Sequence, residues 1–151
     1  MRIETTRFGH IDINEADIIT MPQGLYGFET QQRYCLLQHA LGSLYRWLQS
    51  VTEPSLAFIV IDPFVYFHDY EIDISDADAI FLELNDPSDV KVLALVTFGE
   101  RDVTANLLGP VVLNRARRVA RQIVASDQRY GVRHSLLDHS VRTMDVLCEV
   151  A

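Results

Sequence analysis

The chain has 151 residues, a net charge of −8, and 48% hydrophobic against 23% charged residues. That is one domain by length, with enough chain for a proper core and the composition of a soluble globular protein. No apolar run reaches the roughly 18 residues of a membrane span, and the opening MRIETTRFGHIDI lacks the apolar region of a secretory signal. Cytoplasm is the expected compartment, and Cys35 and Cys148, far apart and without CxxC spacing, read as free thiols.

Residues 2 to 8 and His10 to Ile13 alternate about Gly9 and predict a hairpin, followed by a short strand at Asp17 to Met21. Pro22, Gly24 and Gly27 make a loop whose Leu25, Tyr26 and Phe28 tie it to the core. Arg33 to His39 and Leu44 to Val51 are further strands, the second carrying Trp47 as a packing residue. Leu56 to Ile61 is a continuous apolar run rich in β-branched residues, as expected of a strand buried on both faces. Asp62-Pro63 stops it. From Phe64 to Ile74 aromatics give way to Asp69, Glu71 and Asp73 alternating with Tyr70, Ile72 and Ile74, which predicts a half-exposed strand with one acidic face. Ser75 to Leu84 predicts a helix, with Ser75 as cap, Asp78 three residues on, and Ala77, Ile80, Phe81 and Leu84 as the buried stripe. Val90 to Phe98 is a second long apolar strand. Thr104 to Leu108, Pro110 to Asn114 and Arg118 to Ser126 are shorter ones, and Ser135 to Ala151 could form a poorly capped helix.

So many short strands in one domain must close or stack to avoid long edges. The expected fold is mainly all-β: a compact, barrel-like single domain of short antiparallel strands with one short helix at about 75–84. Charge is unevenly placed. Between Arg46 and Lys91 there is no Lys or Arg, but there are ten carboxylates, while residues 115 to 133 hold six arginines against Asp127 alone. An acidic field favours a basic protein partner and repels nucleic acid. Phosphate loop, nucleophile elbow, HExxH and GxGxxG are all missing, and the five histidines lack metal-ligand spacing. No catalytic residue, metal or cofactor is therefore expected. Asp69, Glu71 and Asp73 belong to an exposed face, not to a cleft that would shift a pKa. Asn106 beside Gly109-Pro110 suits a bulge cap, or an amide presented to a partner.

Several strings occur together: Phe8-Gly9, Gly24-Leu25-Tyr26-Gly27-Phe28-Glu29, Trp47-Leu48-Gln49-Ser50-Val51, Pro54-Ser55-Leu56-Ala57-Phe58, Asp62-Pro63-Phe64, Asp69-Tyr70-Glu71, Thr104-Ala105-Asn106-Leu107, Pro110, Asn114, Tyr130 and Arg133-His134. In that order and spacing the sequence resembles the flagellar assembly factor FliW family, from about residue 2 to residue 137, with 138–151 as a tail outside the resemblance. Tyr26 and His68 depart from it, each standing where the family commonly has proline. The resemblance implies a non-enzymatic cytoplasmic protein, monomeric when free. It would bind flagellin and, once released, the RNA-binding translational regulator CsrA, relieving repression of flagellin translation.

On that basis Asp69, Glu71 and Asp73 are expected to act electrostatically toward CsrA, with Phe64, Tyr66 and Tyr70 as apolar anchors. A groove for flagellin would involve the Leu25 to Phe28 loop and Asn106 to Leu108, Leu107 included. An enzyme on a β-barrel scaffold, or a module binding RNA directly through Arg115 to Arg133, is the alternative.

Overall fold

The two continuous apolar runs become neighbouring strands in a closed sheet. The computed structural model describes residues 1–38 and 40–136. In chain order it has β1 (Arg2–Thr5), β2 (Gly9–Asp12), β3 (Ile19–Thr20), β4 (Arg33–Gln38), β5 (Arg46–Ser50), β6 (Ala57–Ile61), α1 (Pro63–Tyr66), α2 (Asp76–Phe81), β7 (Val90–Phe98), β8 (Val103–Ala105), β9 (Val111–Asn114), β10 (Val119–Gln122) and β11 (His134–Ser135). The tail 138–151 and the helix expected there lie outside the described residues, apart from Ser135, which is in β11.

β7 closes the sheet. Its first four residues pair with β9, Val90 opposite Asn114 through Leu93 opposite Val111. Its middle pairs with β6 at Ile61–Ala94, Val60–Leu95 and Ile59–Val96. From β6 the ring runs through β5, β4 and β3 to β10 and back to β9. β8 and β11 extend from the far end of β7. The barrel expected from the strand count is thus present, with one departure: β10 meets β3 in parallel, at Val119–Thr20. The β1–β2 hairpin lies outside the ring and brings Phe8 edge-on to Trp47, with the Arg7 guanidinium 4.6 Å from that ring's centre.

The barrel interior is made by alternate positions around the ring: Ile19, Tyr34, Leu48, Val60, Leu93, Leu113 and Ala120 meet in one buried cluster. Their opposite-parity neighbours Ile61, Val92 and Ala94 join a second cluster outside it, with Tyr66, Phe67, Tyr70, Leu107 and Leu136. This is why Leu56 to Ile61 and Val90 to Phe98 read as unbroken apolar runs: β6 and β7 are covered on both sides. Each such aliphatic side chain stabilises the fold by about 1.5–3 kcal/mol.

Two expectations need correction. The stretch from Phe64 to Ile74 is not a strand. Pro63, with its φ preset and no N–H to lose, opens the helical turn α1, which Asp62 caps by accepting from Phe64 N at 3.0 Å. The chain then turns, Tyr70 N donating to Phe67 O, and runs on as an irregular strap. The burial alternation survives without a ladder: Tyr70 is buried, Ile72 and Ile74 half-buried, and Glu71 and Asp73 exposed.

The second correction concerns α2. Ser75 caps it as expected, its Oγ accepting from Asp78 N and donating to the Asp78 carboxylate. The helix stops at Phe81, however, and the expected stripe is only half present: Ala77 is exposed and Ile80 77% exposed, Phe81 and Leu84 are half-buried, and Leu82, the C-cap, is fully buried with Val112 and Ile123. Glu83 turns the chain with φ 54° while Leu84 N reaches back to Ala79 O and Glu83 N to Ile80 O, the closure that glycine usually supplies. Glu83→Gly is expected to stabilise the protein by about 0.5–1 kcal/mol by removing the left-handed strain of a side chain there. Thermal denaturation with the wild type alongside would check this, and a lower melting temperature would contradict it.

Candidate functional site

The strap from Asp62 to Ser75 is held by side chains, not by backbone pairing. At its start Asp62 uses both oxygens, one on the α1 cap and the other 2.8 Å from Lys91 Nζ. In the middle Tyr70 is buried, and its hydroxyl donates to Leu107 O at 2.8 Å. The Tyr130 ring meets Tyr70 edge-on with centroids 4.7 Å apart, and Phe64 lies 5.5 Å from the Tyr70 ring on a tilt. The Tyr130 hydroxyl accepts from Glu71 N at 2.9 Å and donates to Asp69 O at 3.4 Å. Arg129 reinforces it, donating to that hydroxyl and standing 5.2 Å from the ring centre.

Loop chemistry beneath the strap is similarly closed. Asn106 Oδ1 accepts from Leu108 N and Gly109 N, the bulge cap expected of an asparagine there. Leu107 N and Leu108 N donate to Gly131 O, and Gly131 N donates to His134 Nε2. Burial pushes the Tyr70 hydroxyl well above the usual tyrosine range, with the neighbouring Tyr130 adding to it. Asp127 is held below the usual carboxylate range by the hydrogen bonds from Arg129. Arg129 is raised in return, chiefly by its hydrogen bond to Asp127 and the charge of that carboxylate, with smaller contributions from Tyr130 and Glu71.

The sequence-predicted residues therefore separate into two groups. Asp69, Glu71 and Asp73 are exposed, and none forms an ion pair among the described residues. Phe64 is 40% exposed beside them. Tyr66, Tyr70 and Leu107 are core side chains, exposed by 3% or less. They are not surface anchors: the turn at α1 sets Tyr66 and Tyr70 in the cluster with Val92 and Ala94 of β7, and Leu107 joins it from the 106–109 loop. Asn106 spends its carbonyl oxygen on its own loop. In the Leu25 to Phe28 loop Leu25 is buried, while Tyr26 is 62% and Phe28 40% exposed, the latter edge-on to Phe58. Gly24 has φ +63°, and a Cβ there would sit 2.6 Å from Phe28 O, so the tight loop requires glycine.

Sequence reasoning missed Tyr130 as the clamp on the strap. It lies 59 residues from Glu71, and no local pattern marks that contact. The carboxylates do not converge in a cleft, and among the described residues no three His, Cys, Asp or Glu gather as metal ligands. What the site offers is a row of exposed acids on a strap fastened from below, within an interval free of cations. Of its ten carboxylates, Asp62 and Asp78 are paired, with Lys91 and Arg121.

The chain is similar to known proteins along nearly all of its described length. The model of the family described as FliW protein matches residues 2–136. A "Flagellar assembly factor FliW" of Syntrophus aciditrophicus is 40% identical over 139 residues, covering 91% of this chain and 88% of that one. Its counterpart in Natranaerobius thermophilus is 40% identical over 141 residues, covering 91% and 93%. A crystal structure of the flagellar assembly factor FliW superposes with a TM-score of 0.84 at 36% identity, covering 90% of this chain and 96% of that one.

Proposed function

The chain belongs to the FliW family of flagellar assembly factors, and from that premise we propose that it is a cytoplasmic, monomeric binding protein with two successive partners. It holds newly made flagellin as a chaperone. When free of flagellin it binds the translational regulator CsrA and antagonises it, so that flagellin translation proceeds. It acts by binding and not by catalysis.

The observation that supports this best is the strap. Asp69, Glu71 and Asp73 stand exposed, with Phe64 beside them, on a segment that Tyr70 and Tyr130 hold in place. A regulator that is basic where it meets RNA would be steered to such a row, and phosphate would be repelled near it. Fixing the strap beforehand lowers the ordering cost of association. Tyr66 and Tyr70 contribute as supports of the strap.

Replacing Asp69 with Asn, Glu71 with Gln and Asp73 with Asn is the direct test. CsrA binding to the wild type is expected to weaken steeply with salt. The triple variant is expected to associate about tenfold more slowly at low salt, with a flattened salt dependence. Unchanged affinity together with unchanged salt dependence would refute the reading. In cells, the CsrA-bound fraction recovered by co-purification is expected to rise when flagellin is absent.

A further inference from the structure

One mouth of the barrel carries the opposite charge. Lys91 stands two residues before the interior Leu93, Arg46 two before Leu48, Arg115 two after Leu113 and Arg118 two before Ala120. Arg46 and Lys91 lie on β5 and β7 at the interior parity, and Arg115 and Arg118 lie in the turn between β9 and β10 at the same end of the ring. They line a cleft of about 220 Å³ with Leu36 and Leu113 as its apolar floor. An adjoining cleft shares Arg46 and Lys91 and includes Asp62, whose carboxylate is taken by Lys91. Among the described residues no carboxylate lies within ion-pair distance of Arg46, Arg115 or Arg118.

Arg118 is the most constrained of them. Its backbone sits at φ 55°, where a side chain is strained. Its Nη2 donates to Asp17 O at 2.9 Å, yet its Nε is buried without a hydrogen-bond partner. The guanidiniums of Arg46, Arg115 and Arg118 line one cleft with no carboxylate in ion-pair distance among the described residues, and an anion between them would supply that counter-charge.

We propose that this mouth is a binding site for a small phosphate-bearing anion. Guanidinium forks match phosphate oxygens in pairs, and the cleft has room for one such group above its apolar floor. A polynucleotide fits less well, because the mouth is a local basic patch on a chain of net charge −8. The site lies apart from Asp69, Glu71 and Asp73 and touches the strap only through the Lys91–Asp62 pair at its start.

The test is titration of inorganic phosphate into the full chain at fixed ionic strength, read by calorimetry and melting temperature, with chloride as control. Saturable binding is expected in the wild type. Arg115→Gln, at an exposed position, and Arg46→Gln are each expected to weaken it about tenfold, the loss of one charge-assisted hydrogen bond. Circular dichroism identifies a variant that fails to fold, and the other then carries the comparison. No saturable binding in the wild type, equal affinity in a folded variant, or binding of an RNA oligonucleotide without binding of phosphate would each overturn the proposal.

Discussion

Tyr70→Ala is expected to destabilise the protein by about 3–5 kcal/mol, the cost of removing a large buried aromatic side chain. Tyr70 is 3% exposed and packs with Tyr66, Phe67 and Leu107 under the strap. Its ring is also the surface on which Phe64 and Tyr130 rest. The substitution therefore opens a cavity and releases two neighbours at once. Tyr70→Phe separates the contributions. It keeps the ring and deletes only the bond to Leu107 O, so it should cost about 1–2 kcal/mol. Urea denaturation of the two variants measures both. A loss below about 0.5 kcal/mol for Tyr70→Ala, within the range of an ordinary surface substitution, would show that the strap does not depend on this residue. Limited proteolysis should find new cleavage between Phe64 and Ile74 in Tyr70→Ala and not in Tyr70→Phe.

Asn114 carries the second large effect. It is 1% exposed at the end of β9, and its amide serves two elements. Nδ2 donates to Leu82 O at 2.8 Å and to Glu83 O at 3.1 Å, closing the end of α2. Oδ1 accepts from Ala116 N and Arg117 N, shaping the turn into β10. All of the bonds an asparagine side chain commonly makes in a core are thus used. Asn114→Ala leaves buried carbonyls and N–H groups without partners and is expected to cost about 2–4 kcal/mol. Asn114→Asp is the sharper test. It keeps the shape and the turn bonds but has no donor for Leu82 O and Glu83 O, and it sets a negative charge against the negative end of α2. It should be as damaging as alanine near neutral pH, and both are read by chemical denaturation. Tolerance of Asp at wild-type stability would mean that the α2 contacts are unimportant.

Legibility in the sequence followed how local each determinant was. The β-branched runs of β6 and β7 declared themselves because burial on both faces leaves no polar position in the run. Alternation from Asp69 to Ile74 reported which side chains face inward, but periodicity carries no information on whether a neighbouring strand supplies hydrogen bonds. Here Tyr130, Leu107 and a turn at Phe67 supply them instead. At α2 the 3–4 spacing pointed to Ile80 as buried, but the helix ends one residue later. The cap geometry at Leu82 and Glu83, not the helical period, then decides which side chain enters the core. The basic mouth was invisible for another reason. Arg46, Lys91, Arg115 and Arg118 are scattered over 73 positions, and only strand register makes them neighbours. The acidic face was readable because its three carboxylates fall within five residues.

Ring closure has a consequence for the timing of synthesis. The clasp joins Thr20 to Val119, and β7 needs β9 before its first half is paired. Roughly the first hundred residues can emerge with every earlier strand made and still have no barrel. At roughly 5–20 residues per second of synthesis, the nascent chain spends about one to five seconds with β6 and β7 uncovered on at least one face. The clamp Tyr130 and two of the four mouth cations also come from this last third. Neither surface is complete before these residues are made, so a chain interrupted before β10 leaves the ring open and is expected to aggregate.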